Sequence, residues 1–368
     1  MRLAVILVHY HTPELAAAAV EALRADVAGS GLEVEWLLVD NGSDAAGRAL
    51  LASLPVERLD PGQNLGYAGA VNLGVETSRA ELILLMNPDV LVLPGCVSAL
   101  LEALRDGAAV AGPRFYWDRG RRLVQPPAED RSRRSELMSL LAERGGGWAR
   151  RARRRWRRQA RRHWEARAPL PSLALSGSLL LLRRAAWDEA GPFDPGFRLY
   201  FEETDWLQRA ARRGLSGLYV PAAEAVHLYA QSAGREPQAP AWFLESARRF
   251  RSRHYGPWFL RLLEGLDRRL PRGGGVSPLP PAPAAGLSLP RERSAYPLWV
   301  EVSPNAVGFP AAAELFPEPP ARPWNLPAEI AERLAVELTL QVTDGPGREV
   351  ARFALPPRAV AGERRGAA

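Results

Sequence analysis

The feature that most constrains this chain is a rhythm over residues 1–90. Short apolar runs each end abruptly in a cluster of Asp, Asn, His or Gly, and a segment of helical composition follows. Runs at Leu3–Val8, Val34–Asp40, Val56–Asp60 and Leu82–Met86 have strand length, and Glu14–Arg24, Asp44–Ser53 and Ala68–Ser78 between them have helix-like apolar spacing. This alternation specifies an α/β fold with a mostly parallel sheet flanked by helices, because parallel neighbours need a long crossover. Thr12 before Pro13 and Ser43 before Asp44 are the expected helix caps. Further strands are expected at Ala108–Gly112, Leu173–Leu182 and Gly217–Val220.

Downstream the character changes. Residues 131–167 are crowded with arginine, nine of the thirteen from Arg150 to Arg162, with Trp148, Trp156 and Trp164 spaced among them. Tryptophan favours lipid headgroups and arginine reaches phosphates, so the segment is expected to lie on an anionic membrane surface, by charge more than by amphipathicity, since arginine occupies nearly every face. A solvated insertion is the plainer alternative, and nucleic-acid binding a third. Gly and Pro density marks 266–293 as a linker, followed by a small β domain at 294–356, with strands at Leu298–Val302, Ala335–Val342 and Arg348–Ala354. The domain is expected to be separable by deletion after about Arg272, and 357–368 to be a disordered tail. That leaves 1–265 as the main domain, with 131–167 inserted in it.

No stretch reaches the roughly 18 apolar residues of a membrane span, and the first strand is too short for a signal-peptide core. Cys96 is the single cysteine and forms no internal disulfide. A cytoplasmic protein is therefore expected, peripheral on the inner face of the plasma membrane. All 48 basic residues are arginine, which removes the lysine of a phosphate-binding P-loop.

Ligands of open parallel sheets bind at the carboxyl ends of the strands. Four polar clusters stand there: His9-Tyr10-His11, Asp40-Asn41-Gly42-Ser43, Gln63-Asn64-Leu65-Gly66-Tyr67 and Asn87-Pro88-Asp89. Each alone reads equally as turn chemistry; four in succession point to a site. No dinucleotide glycine fingerprint follows the first strand, so a diphosphate would need arginine, helix N-termini or a metal, and Asp89 is a hard oxygen ligand for one. Further on, Glu202, Glu203 and Asp205 crowd three carboxylates between Tyr200-Phe201 and Trp206. Crowding of this kind raises at least one pKa, as a general base requires, although an acidic first helical turn gives the same pattern. His227 gains interest only from this company.

In order, these motifs resemble the family-2 glycosyltransferases of the GT-A fold, particularly the bacterial rhamnosyltransferase-like branch. The resemblance spans roughly residues 3–235: Val39-Asp40-Asn41-Gly42-Ser43, Asn64 to Asn72, Asn87-Pro88-Asp89, Ser176-Gly177-Ser178, Glu202-Glu203-x-Asp205-Trp206, and His227 with Ser232. It implies an inverting, metal-dependent transfer of a sugar, rhamnose in the nearest branch, from a nucleotide-sugar donor to a glycan or polyprenyl-linked acceptor in cell-surface polysaccharide synthesis. Tyr10, Asp40, Asn64, Gly66, Asn72, Asn87 and Asp89 would bind the donor. Asp89 and His227 would hold Mg²⁺ or Mn²⁺. Glu203 would be the base, with Glu202 and Asp205 beside it, and Ser176, Gly177 and Trp206 would shape the acceptor pocket. Two departures stand out: Glu203 where the family usually has Asp, and Asn87 where it has the first aspartate of its metal motif. A nucleotidyltransferase of similar architecture and a non-catalytic nucleotide-sugar or nucleic-acid binder are the competing readings; nucleic acid is not the expected partner.

Overall fold

The computed structural model describes residues 1–129, 131–228, 237–271, 278–334 and 336–357. The chain divides into two compact units, residues 1–115, 127–133 and 165–265 in one and 116–126, 134–164 and 266–368 in the other.

The first unit opens with β1 (Arg2–His9), α1 (Pro13–Val27), β2 (Glu33–Asp40), α2 (Ala45–Ala52), β3 (Glu57–Leu59), α3 (Gly66–Thr77), β4 (Leu82–Met86), β5 (Val90–Val92), α4 (Cys96–Arg105) and β6 (Val110–Tyr116). After α5 (Arg133–Ala142) and α6 (Gly146–Trp164) come β7 (Leu170–Pro171), β8 (Leu179–Arg183), α7 (Arg184–Ala190), α8 (Glu202–Arg212), β9 (Gly217–His227), α9 (Ala239–Tyr255) and α10 (Pro257–Arg269). The sheet runs β3-β2-β1-β4-β8-β6-β9-β5, with β7 paired to β9. Its first four strands are parallel, and β8 joins β4 antiparallel. Central β1 and β4 are apolar without alternation because both faces are covered: Leu3 to Leu7 and Leu82 to Met86 are all buried.

Local chemistry shifts several expected boundaries. Asp44, not Ser43, caps α2, accepting from Gly47 N–H at 2.7 Å, while Ser43 N–H donates to Asp40 Oδ1 at 2.9 Å. Thr12 N–H donates to His9 Nε2 at 2.8 Å. The strand expected from Leu173 begins only at Leu179. Ser172 and Ser176 accept from the backbone N–H groups of Ala174 and Ser178, local turns that compete with a ladder. Among the described residues no helix is long and apolar enough to cross a membrane.

In the second unit, β10 (Leu298–Ser303), β11 (Ala312–Phe316), α11 (Ala328–Arg333), β12 (Leu338–Asp344) and β13 (Glu349–Leu355) form an antiparallel sheet ordered β11-β10-β12-β13. β11 was not expected from the sequence. α6 packs on this sheet through Trp156, Ala160 and Trp164, against Trp299, Ala311 and Ala313. The Trp164 and Trp299 rings stack at 5.3 Å. Arg157 enters the interface too, giving Glu301 a bidentate pair at 2.6 and 2.8 Å with both side chains almost fully buried. Arg161 donates to Thr343 Oγ1 at 2.8 Å, and Arg153 to the Val307 carbonyl at 2.9 Å.

The units therefore cut the chain differently from the segments expected. Residues 134–164 group with the β sheet, and α6 has distinct faces rather than arginine all round. Within 278–290, Leu287 and Leu289 are buried in the same core as Trp324, and Leu287 and Trp324 exchange backbone hydrogen bonds. Residues 272–277 and the tail from 358 lie outside the described residues.

Candidate active site

A cavity of about 350 Å³ opens at the carboxyl ends of the parallel strands. One wall comes from Tyr10 after β1, Asn41 after β2, and Asn64, Gly66 and Tyr67 at the start of α3. Asn41 organises this wall: its Oδ1 accepts from Leu65 N–H at 2.8 Å and its Nδ2 donates to Asn64 Oδ1 at 2.9 Å, while Asn64 Oδ1 also takes Gly66 N–H at 2.8 Å. Gly66 has φ +71, and a Cβ there would stand 2.7 Å from the Arg198 carbonyl oxygen, so only glycine fits.

The floor is the Asn87-Pro88-Asp89 turn between β4 and β5. β5 pairs antiparallel with β9, Val90 opposite His227, and this register brings His227 Nε2 to 3.5 Å from Asp89 Oδ1. Ser178 Oγ stands 3.4 Å from the same nitrogen. Asn87 Oδ1 is buried without a hydrogen-bond partner.

The opposite wall is the first turn of α8. Tyr200 and Phe201, just before it, both have left-handed backbones, φ 67 and 70, a conformation that costs a non-glycine residue about 1–3 kcal/mol. This strained approach delivers Glu202 and Glu203 to the cavity. Burial pushes the Glu202 carboxyl well above the ordinary carboxylate range, and the neighbouring Glu203 charge adds to it. Burial also raises Glu203, tempered by hydrogen bonds from its own and the Thr204 backbone, by the Thr204 hydroxyl and by the charge of Arg131. One oxygen on each, Oε2, is buried without a partner. Tyr67 lies among the acids: its hydroxyl donates to the Gly177 carbonyl at 3.2 Å, and burial plus the charges of Glu202, Glu203 and Asp89 raise its pKa. One pocket thus joins two carboxyls whose pKa values burial raises to a carboxylate–imidazole pair.

A family model for glycosyl transferase family 2 matches residues 4–166. An N-acetylglucosaminyl-diphospho-decaprenol L-rhamnosyltransferase of Mycobacterium tuberculosis (strain CDC 1551 / Oshkosh) is 34% identical over 224 residues, 55% of this chain and 69% of that protein. This chain belongs to glycosyl transferase family 2. A low-salt glycan biosynthesis hexosyltransferase, Agl10 of Haloferax volcanii, is 21% identical over 230 residues, 61% of the chain and 66% of that protein. Two solved structures are more distant. The mannosyltransferase PcManGT of Pyrobaculum calidifontis, in complex with GDP-Man and Mn²⁺, shares 14% identity at TM-score 0.42, over 72% of this chain and 73% of that one. GalNAc-T7 with UDP, GalNAc and Mn²⁺ shares 13% at 0.44, over 73% and 55%. The mixed, mostly parallel sheet of this glycosyltransferase is the GT-A architecture expected from its motifs.

Of the residues singled out in the sequence of the glycosyltransferase, Tyr10, Asn64, Gly66, Asn87, Asp89, Ser176, Gly177, Glu202, Glu203 and His227 all line the cavity. Four do not. Asp40 sits beneath the wall, accepting from Ser43 N–H and from Arg58 at 3.1 Å; burial works to raise its carboxyl, but hydrogen bonds from Ser43 and the nearby His9 hold it low. Asn72 is spent on a reciprocal pair with the Phe193 backbone at 2.8 and 3.0 Å, fastening α3 to the segment that leads to α8. Asp205 turns away toward Arg209 and His254, each at 2.8 Å, and those contacts keep it ionised against the pull of burial. Trp206, one turn into α8, is fully buried and stacks on Trp187 at 5.9 Å. Ser232 lies outside the described residues. The reading of the sequence overlooked Asn41, Tyr67, Ser178, Arg198 and Trp242 as cavity residues. The first three stand inside quoted motifs and were legible there, whereas Trp242 on α9 carries no local signal.

Proposed function

We propose that this glycosyltransferase transfers rhamnose from a nucleoside-diphosphate donor, with inversion, to a hydroxyl of N-acetylglucosamine carried on a polyprenyl diphosphate. The sugar and acceptor come from the 34% identical rhamnosyltransferase. The observation that carries the mechanism is the pair of raised carboxyls, Glu202 and Glu203, sharing one cavity with Asp89 and His227.

The donor nucleoside lies along Tyr10, Asn41, Asn64 and Gly66, with Tyr10 presenting its ring to the base. The diphosphate lies over the Asn87-Pro88-Asp89 turn. The residues there fit a hard divalent cation: a carboxylate and an imidazole 3.5 Å apart, with the unpartnered Asn87 Oδ1 in the same turn. When bound, such a cation would supply positive charge to the departing diphosphate. Glu203 accepts the proton of the acceptor hydroxyl as that oxygen bonds to the anomeric carbon and the carbon–phosphate-oxygen bond breaks. Its pKa, raised by burial, suits a base that must hold and release a proton in a desolvated site. Glycine at 177 leaves room for the Glu203 stem.

The test is a thermal-shift panel of nucleotides and nucleotide-sugars with and without Mn²⁺, followed by product analysis with a polyprenyl-linked N-acetylglucosamine acceptor. Free nucleoside diphosphate together with a glycosylated acceptor supports the reading. Release of pyrophosphate would favour a nucleotidyltransferase instead.

A further inference from the structure

The nineteen residues of α6 contain no aspartate or glutamate, and the structure sorts the arginines into two sets. Arg153, Arg157 and Arg161 are buried and bonded to the β sheet of their own unit. Arg150, Arg151, Arg154, Arg158 and Arg162 are exposed, with Arg155 half-buried beside them. At roughly 100° per residue these six fall within an arc of about 140° on one side of the helix, an arc that near the last turn also contains the buried Arg161. None of them forms an ion pair with a described carboxylate. Trp148, in the first turn, extends the same face; it is 44% exposed, with the Arg151 guanidinium 5.9 Å over its ring.

A protein that needed arginine only for solubility would intersperse acids along such a helix, since like charges three and four residues apart repel. This face instead accumulates cation on a rigid support, because the other side of α6 is anchored by Trp156, Trp164 and the Arg157–Glu301 pair. We propose that the exposed face of α6 is a docking surface for an anionic lipid bilayer, with the guanidinium groups on lipid phosphates and Trp148 among the headgroups. A nucleic acid would also meet the charge. However, the face offers one tryptophan at its end and no aromatic between its arginines on which bases could stack, whereas a planar array of phosphates matches a straight stripe of cations.

The experiment is flotation of the full chain with phosphatidylcholine vesicles, with and without phosphatidylglycerol, at low and high salt. Wild type should float only with the anionic vesicles, and less at high salt because exposed pairs are screened. Glutamine at Arg150, Arg151, Arg154, Arg158 and Arg162 should weaken binding at least about a hundredfold while leaving the melting temperature unchanged. Lysine at the same five positions should restore it. Trp148→Ala should weaken binding several-fold in either salt. Wild type that stays unbound at low salt, a glutamine variant that still floats, lysine that fails to restore, or preference for a single-stranded oligonucleotide over the vesicles would each overturn the assignment. Turnover on a soluble acceptor, measured in parallel, separates failure of this surface from failure of the transferase reading.

Discussion

Gly177→Ala tests the placement of Glu203 without touching its carboxylate. The Gly177 backbone is not left-handed, so alanine brings no backbone strain; the added Cβ would instead stand 2.9 Å from Glu203 Cγ, 3.1 Å from its Cβ and 3.3 Å from its Cδ. Carbon atoms settle at about 3.5–4.0 Å, so the Glu203 stem must retreat by roughly 0.6–1 Å. A misplacement of about 1 Å at a reacting group costs on the order of 10²-fold in rate. The overpacking itself should cost no more than about 1–3 kcal/mol, which leaves a folded protein. Initial rates of nucleoside-diphosphate release should therefore show kcat down about a hundredfold and donor KM within about threefold of wild type. If Gly177 acts through Glu203, adding Gly177→Ala to Glu203→Gln should cost little more than Glu203→Gln alone. Turnover within about threefold of wild type, or fully additive losses in the double variant, would refute the claim that this carboxylate's position sets the rate.

Glu203→Gln should keep donor affinity and lose roughly two to four orders of magnitude in turnover. In the wild type kcat/KM should fall as pH drops through the raised Glu203 pKa, because the base must be ionised, and the variant should lose that acidic limb. Stability runs the opposite way: a carboxyl raised on folding contributes stability below the ordinary carboxylate range that is lost as pH rises through its folded value, so thermal melts of wild type should show a decline to which Glu202 and Glu203 both contribute and which Glu203→Gln makes shallower. EDTA should abolish transfer, and Asp89→Ala or His227→Ala should remove the Mn²⁺ dependence of donor binding in thermal shift; full activity in EDTA contradicts this. In the second unit, Arg157→Ala strands a buried Glu301 and should cost about 3–5 kcal/mol by denaturant titration, and deletion after Arg272, which removes Glu301, Gln341 and Thr343, should yield insoluble protein; an intact, soluble truncation would refute the packing of α6.

Much of the first unit was legible because its signals are local. An apolar run followed by Asp-Asn-Gly or Asn-Pro-Asp reports both a buried strand and the turn that ends it, and β1 to β4 fall where those signals stand. What was not legible depended on partners far along the chain. Asp40 and Asn41 are adjacent and equally polar, and only the packing of α3 and Arg58 decides that Asn41 reaches the cavity wall while Asp40 holds the loop beneath it. In the acidic turn of α8 the i,i+4 spacing of Asp205 and Arg209 is a local signal, but nothing near it shows that His254, far along the chain, also takes the third carboxylate out of the cavity. In α6 the run of arginines hides its own periodicity, because the residues that select Arg157 and Arg161 for burial are Glu301 and Thr343.

The Asp89–His227 pair carries a consequence for how this site can change over generations. Its two members are set opposite each other by the β5–β9 ladder, Val90 against His227. Side chains in a strand alternate faces, so inserting or deleting a single residue in β9 between Gly217 and His227 would turn the imidazole to the far side of the sheet. Point substitution can trade one donor atom for another, yet it cannot alter the spacing. The site is open to variation in its chemistry and closed to variation in its length.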